Sequence, residues 1–406
     1  MEPERRCQRC GQIIPWGYQE CPLCSERSGY FWWVRRDTFL ATVIGFLIVL
    51  SFFTGFTVRR FHAVERDLAQ DWYRRGQQAL DAGRAREALS DFRNALAYSR
   101  ENPLFQLRLA QALEGTGRDE EARVYLLSLR DREPGNGPVN LELARLAVRE
   151  HAIPEAVQYF HDAVYCEWSG DPVVQRRAVR LELVRFLLAS DQKADARADL
   201  IAVAANLPPD PNLQTEVGQL LVRAGGIDDA LSLFHQALTE EPHSTAALGG
   251  LGECYFLSDQ FAKAEFYLNR ALQHNPRLTE AAHMRDTAQL VMNMDPFVRS
   301  IRERERERRV RQAFDQAMTR LATCAARRRV NLQAASGDPL QTLYIQATAF
   351  RPTINRHSIG HDSEWVSNTM DLVFEIEKSA AEMCGAPQGP DLALLLIARA
   401  QEGTQP

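Results

Sequence analysis

Alanine recurs through the middle of the chain at Ala88, Ala122, Ala156, Ala196, Ala230 and Ala264, in steps of 34, 34, 40, 34 and 34 residues. Proline keeps the same beat at Pro134, Pro208, Pro242 and Pro276, in steps of 74, 34 and 34. Both series absorb one six-residue insertion at the same place, between the third and fourth units. A fixed period with fixed residue types means that one supersecondary unit is repeated, each copy burying its apolar face against the next. A period of 34 fits a pair of helices. Such an array is a surface for gripping other proteins.

Six units follow from the phase: 69–102, 103–136, 137–170, 177–210, 211–244 and 245–278. Gly76, Ala110, Ala144, Gly218 and Gly252 fall in the first helix of their hairpins, and the phased alanines in the second. Small residues at both places let the two helices approach closely. Gly83, Gly117 and Gly225 fall in the turn between them, where a left-handed backbone suits glycine. Phe92, Phe160 and Phe234 fill the space between hairpins, and the prolines end each second helix. Unit four departs from the pattern. It has Val184 at the small-residue position and Asp191 at the turn, and it follows the inserted stretch 171–176. A change of curvature, or a split into units 1–3 and 4–6, is expected there.

The residues Trp72, Gly76, Ala88 and Phe92, and again Gly252, Tyr255, Ala264 and Pro276, resemble the tetratricopeptide signature of W, L-G, Y, A, F and P. The resemblance covers residues 69–294, over half the chain. It implies a right-handed α-solenoid that binds a protein or peptide on its concave face, lined by first helices. Positions on that face include Tyr73, Gln77, Leu107, Gln111, Leu181 and Glu253, with an arginine series Arg145, Arg149, Arg185 and Arg223. The arginines suit an acidic, partly apolar peptide; a solvated helix face is the alternative. The Lys/Asn clamp of the family's chaperone-binding members is absent, so that role is not carried over.

Cys7-x2-Cys10 and Cys21-x2-Cys24 stand ten residues apart near the start of the chain. Each CxxC pair lets two thiolates reach one metal, and two pairs complete a tetrahedral Zn²⁺ site. The segment 1–37 is too short to bury a core of its own, and bound zinc supplies stability to such modules. It resembles the short zinc ribbons at the N-termini of many bacterial membrane proteins. All four ligand positions are filled, so a structural site is expected; a redox CxxC or a pair of disulfides are the alternatives. Cys166, Cys254, Cys324 and Cys384 are scattered singly and read as small hydrophobes inside helices.

Residues 38–58, TFLATVIGFLIVLSFFTGFTV, carry no charge. At ~1.5 Å per residue they span about 31 Å, the thickness of a bilayer core. Tyr30, Phe31, Trp32 and Trp33 precede the run as an aromatic belt, and Arg35, Arg36, Arg59 and Arg60 flank it. A transmembrane helix is expected, with no Pro or Gly between Val58 and Gly76 to stop it running on as the first repeat helix. The arginine count near the span weakly favours the repeats inside, but long domains translocate largely regardless of charge. Zinc-binding thiols need a reducing compartment. The expected topology therefore places the ribbon in the cytoplasm and the repeats outside a bacterial inner membrane.

Residues 295–406 read as a helical C-terminal capping region. Asp295-Pro296 is expected to open a helix carrying Glu305–Arg309 and Glu307–Arg311 pairs. Val366, Met370, Val373, Ile376, Ala380 and Met383 mark an amphipathic helix stopped at Gly385, and a short apolar helix near Leu392–Ala400 packs back on the array. His357 and His361, with Asp362, are a weak metal pattern interrupted by Gly360.

A net charge of −5 argues against a general nucleic-acid binder, and 45% hydrophobic content against disorder. The excess of arginine over lysine reads as codon bias. The sequence has no P-loop, G-x-S-x-G, H-E-x-x-H or dinucleotide-binding glycine run. The chain thus reads as all-α and non-enzymatic: ribbon 1–37, span 38–58, repeats 59–294 and helical region 295–406. Its expected role is a membrane-anchored scaffold. The alternatives are a small enzymatic or regulatory domain in 295–406, or a nucleic-acid or signal reader built on the ribbon.

Overall fold

A computed structural model describes residues 5–333, 337–356 and 363–403. The described residues are helical, with two isolated β-bridges and no strand. The chain divides into two compact units, Met1–Trp168 and Ser169–Pro406. The division falls beside the inserted stretch that precedes the fourth repeat.

The first unit opens with a four-cysteine loop and then a single helix, α1 (Pro22–Asp81), of 60 residues. At ~1.5 Å per residue it is about 90 Å long. It begins inside the second CxxC pair rather than at the apolar run, because Pro22 sits at its first turn, where a missing N–H is tolerated. It does not stop at the end of the run either. It continues to Asp81 and forms the first helix of the first hairpin with α2 (Ala85–Tyr98). Two further hairpins follow: α3 (Pro103–Gly115) with α4 (Asp119–Arg132), and α5 (Gly137–Arg149) with α6 (Ile153–Tyr165).

The second unit carries three more hairpins. They are α7 (Pro172–Ala189) with α8 (Lys193–Ala204), α9 (Pro211–Arg223) with α10 (Ile227–Glu240), and α11 (Thr245–Leu257) with α12 (Phe261–His274). Then come α13 (Thr279–Met294), α14 (Glu303–Arg328), α15 (Pro339–Arg356), α16 (Ser363–Cys384) and α17 (Pro390–Glu402).

The repeat chemistry is local. All six phased alanines, from Ala88 to Ala264, are fully buried. Phe92, Phe160 and Phe234 are buried against them. Glycine at Gly218 is a packing requirement, since a Cβ there would lie 2.7 Å from the Phe234 ring. Three of the first helices start on an acceptor side chain followed directly by proline. Asn102 accepts from the Leu104 and Phe105 amides, and Asp171 and Asp210 do the same for α7 and α9. These caps satisfy amides that the first turn leaves free.

The hairpin turns adopt a left-handed backbone at Gly83, Gly117 and Gly225, with φ of 72°, 75° and 79°. The same turn forms without glycine at His151, Asp191 and Asp259, with φ of 58°, 56° and 58°. The loss of glycine in unit four therefore leaves the hairpin intact. The Gln192 amide donates to the Leu187 carbonyl at 2.9 Å, as the Arg84 amide does to that of Ala79 at 2.8 Å, so the same backbone bond closes the turn with and without glycine.

Three expectations need correction. Asp295-Pro296 ends α13 rather than opening the next helix: Asp295 caps α13, its carboxylate accepts from the Phe297 amide, and α14 begins at Glu303. Arg309 anchors this corner by donating to the carbonyls of Met292 and Asp295, at 2.8 Å each. The second correction concerns cysteine. Cys324 and Cys384 are not separate apolar fillers; they form a disulfide that ties α14 to α16. Their sequence separation of 60 hides the pairing. The third is that Tyr73, Leu107 and Leu181 serve the core more than the concave face. Tyr73 stacks on Phe105 at 5.0 Å, and both leucines are buried.

The Glu305–Arg309 and Glu307–Arg311 pairs form at 2.9 Å and 2.6 Å. One continuous apolar core joins the last repeat to the C-terminal helices through Phe261, Leu268, Val291, Phe314, Met370 and Leu394. Arg399 on α17 donates to Asp259 in the last hairpin turn at 3.0 Å. The C-terminal helices thus cover apolar surface that a terminal repeat would otherwise expose. His357, His361 and Asp362 lie outside the described residues, as do the side chains of Tyr30, Phe31, Trp32 and Trp33.

Candidate metal centre and repeat surface

The four N-terminal cysteines converge. The sulfurs of Cys7, Cys10, Cys21 and Cys24 all lie within 4.8 Å of one another, and those of Cys10 and Cys21 are 3.6 Å apart. A tetrahedral zinc site with ~2.3 Å metal–sulfur bonds has sulfur–sulfur edges of about 3.8 Å. The cluster therefore fits one ion at its centre with little rearrangement.

Local backbone builds the first pair. Gly11, with φ of 74°, lets its amide donate to the Cys7 carbonyl at 2.9 Å, while the Cys7 amide donates to the Gln12 carbonyl at 2.8 Å. An Arg6–Ile13 bridge closes the loop. The second pair rests on α1: Cys21 is its N-cap and Cys24 lies in the first turn. A helix N-terminus favours anionic sulfur. Backbone amides at Arg9 and Cys10 pull the Cys7 thiol down to about 7. Hydrogen bonding with Cys10, then burial, pushes Cys24 up to about 12. Four sulfurs this close cannot all ionise without a cation between them. Within this module Cys21 is buried and Cys10 exposed.

Beyond the cluster, α1 presents a bare apolar stretch. The helix from Phe39 to Asp81 includes an 18-residue window of mean hydropathy 2.3, none of it buried. Thr54 and Thr57 return their hydroxyls to carbonyls one turn back, at 2.9–3.0 Å, which pairs these polar groups within the helix.

The arginines on the first helices are half-exposed and mostly engaged. In the first unit, Arg145 pairs with Glu142 at 3.0 Å, and Arg149 pairs with Glu114 at 2.9 Å and Asp119 at 3.5 Å. Gln111 joins the network by donating to Glu142 at 2.7 Å, and Arg108 donates to Gln111 at 2.8 Å. Burial, reinforced by Glu142, pushes the Glu114 carboxyl up to about 7. In the second unit, Arg185 pairs with Glu216, and Arg223 is exposed near the end of α9. Sequence reasoning picked out the arginines and missed Glu114 and Glu142. Their signal was present, because each stands three or seven residues before a groove arginine or on the matching helix of the preceding repeat.

A second buried polar cluster lies among the C-terminal helices. Glu377 on α16 is fully buried, and neither carboxylate oxygen has a hydrogen-bond partner. Burial, then the charge of Asp391, pushes it up to about 8. Asp391 accepts from Gln316 at 2.7 Å and lies 3.7 Å from Arg320.

Comparison with known proteins follows the repeats. The tetratricopeptide repeat family model matches residues 79–133 and 221–285, so hairpins in both compact units are tetratricopeptide repeats. The cellulose synthase operon protein C of Xanthomonas axonopodis pv. citri is 28% identical over 229 residues, 51% of this chain. The chain spans only 15% of that protein's length. Among solved structures, YrrB, described as a TPR protein with an unusual peptide-binding site, is 19% identical, with a TM-score of 0.38 over 47% of this chain and 96% of its own. PilW, a type IV pilus biogenesis factor, is 18% identical, with a TM-score of 0.39 over 52% and 96% respectively.

Proposed function

We propose that the protein is a non-enzymatic scaffold of tetratricopeptide repeats anchored in a bacterial membrane by α1. The observation that carries this reading is the continuity of one helix. It starts on two zinc-ligand positions, exposes a charge-free apolar stretch long enough to cross a bilayer, and ends packed as the first helix of the array. A span joined to the repeats without a flexible tether holds the array at a fixed distance from the membrane.

The cysteines support an orientation. Cys7, Cys10, Cys21 and Cys24 are free thiols on one side of the span, while Cys324 and Cys384 are joined as a disulfide on the other. Thiols persist in the cytosol and disulfides in oxidising compartments. The zinc module is cytoplasmic and the repeats extracytoplasmic in this reading. Zinc held there is structural: four sulfurs leave no open position for chemistry.

The first helices of each unit form a partner-binding face, with Arg145 and Arg149 in the first unit, and Arg185 and Arg223 in the second, as anion contacts for an acidic segment. The neighbouring acids set its terms. An incoming carboxylate competes with Glu142 and Glu114 for the arginines, so binding is selective for peptides that supply apolar contacts as well. Purification of the solubilised chain with identification of its stoichiometric partner tests this. Charge reversal at Arg145 and Arg149 should abolish recovery of that partner, and recovery unaffected by both reversals removes the groove assignment.

A further inference from the structure

The apolar character of α1 outlasts its membrane stretch. Beyond Arg59 and Arg60, Phe61, Val64 and Leu68 form one stripe, with 61%, 56% and 39% of their surfaces exposed. Lipid does not account for the far end. Leu68 lies eight residues past Arg60, about 12 Å along the helix. The headgroup layer is only about 5–8 Å thick on each side of the hydrocarbon. Nor does the array cover the stripe, since α1 turns Ala69, Gly76 and Ala79 toward its neighbours. Phe61 and Val64 sit at the depth of the headgroups, and a stripe that continues past them, still exposed at Leu68, marks a docking face.

The spacing 61, 64, 68 is that of a and d positions in a heptad, and the same phase runs back through Thr57, Thr54 and Leu50. In that register Arg60 is a g position and Glu65 the following e position. These are the two places that face each other across a parallel pair of helices, and here they carry opposite charge. Glu65 contacts His62 through Oε2 at 3.1 Å, which leaves Oε1 for a second cation. Position 66, on the far side of the helix, is the charged Arg66.

We propose that α1 pairs in parallel with α1 of a second copy of this chain, through Phe61, Val64 and Leu68, locked by Arg60 to the partner copy's Glu65 and its symmetry mate. The proposal rests on the membrane-spanning reading above. Copies inserted by the same rule enter the bilayer the same way round, so any self-pairing is parallel, and a two-fold pair makes each Arg60–Glu65 contact twice. The consequence is two repeat arrays presented side by side, which raises avidity for a multivalent partner.

The test uses the full chain in native membranes, expressed with two different tags. A benzophenone photocrosslinker replaces Val64 or, on the opposite face, Arg66. Crosslinking between the two tagged copies is expected from position 64 and not from 66. Arg60→Glu and Glu65→Arg should each reduce the crosslinked pair roughly fivefold, and the two together should restore it. Equal yields from both positions, adducts only with lipid or with another protein, or a double variant that fails to recover would each overturn the pairing. Alkaline carbonate extraction of the same membranes keeps the two readings apart. A chain released by carbonate overturns the anchor itself, whereas a retained chain without position-dependent crosslinks overturns only the pairing.

Discussion

Gly76 of α1 faces the ring of Phe92 on α2 so closely that a Cβ at 76 would lie 2.7 Å from it. This contact docks the apolar helix onto the first repeat. Gly76→Ala forces the ring or the helix to shift and should destabilise the first hairpin by about 1–3 kcal/mol. Gly45, in the apolar stretch, meets nothing within 4 Å. Gly45→Ala should therefore leave the thermal midpoint of the solubilised protein unchanged, while Gly76→Ala lowers it.

Metal content follows from the sulfur geometry. The purified chain should carry close to one zinc per molecule, measured by mass spectrometry of the metal. Cys10→Ser or Cys21→Ser should lose it, and Cys166→Ser should keep it. Since the repeats have their own core, chelation should leave their helical circular dichroism and thermal midpoint intact. Melting of the whole array on chelation would show that the module is not independent.

The Cys324–Cys384 disulfide closes a long loop in the C-terminal helices. A loop of this size restricts the unfolded chain by about 4 kcal/mol in the chain-entropy account. Cys384→Ser should lower the midpoint of the C-terminal region clearly. Mass spectrometry of the alkylated protein from its native compartment should find Cys324 and Cys384 protected and the other cysteines reactive after denaturation.

Glu377 makes stability depend on pH in a stated direction. Its folded pKa of about 8 exceeds the ordinary 4.5, so the folded state holds a proton that the unfolded state has released between those values. Its contribution is fully present below 4.5 and is lost as pH rises through 8. Glu377→Gln keeps the uncharged shape. At pH 8 it should gain at least about 1 kcal/mol over the native chain and show a flatter profile across this window in denaturant titrations. An unchanged profile would show that Glu377 ionises as freely folded as unfolded.

Backbone strain gives a stabilising change. His151 holds φ of 58° at a turn where three other hairpins have glycine. His151→Gly should raise stability by roughly 1 kcal/mol, because the left-handed conformation penalises a side chain and not glycine.

The helical array and the thiol cluster were legible in the sequence because both are matters of spacing. Ala88 to Ala264 report the repeat through identity at fixed intervals, and Cys7 to Cys24 report a convergent set of four thiols through two short CxxC pairs. What escaped is set by contact across distance. Nothing near Cys324 announces Cys384. Glu114 and Glu142 were not singled out, yet they engage two of the arginines expected to contact an acidic peptide. The start of α14 was misplaced because Asp295-Pro296 fits the end of one helix as well as the start of another, and Arg309, fourteen residues on, decides between them. Helix α1 starts ahead of the apolar run, although residues 1–37 were read as a separate module, because backbone hydrogen bonding is indifferent to composition and Pro22 is tolerated at a first turn.

The central claim is a chain that crosses one membrane with its zinc module inside and its repeats outside. Protease treatment of intact spheroplasts, with tags at both ends, measures it directly. The account predicts that the C-terminal tag and the repeats are digested while the N-terminal tag survives on a fragment that ends near the membrane. A C-terminal tag that resists protease until the membrane is broken would contradict it.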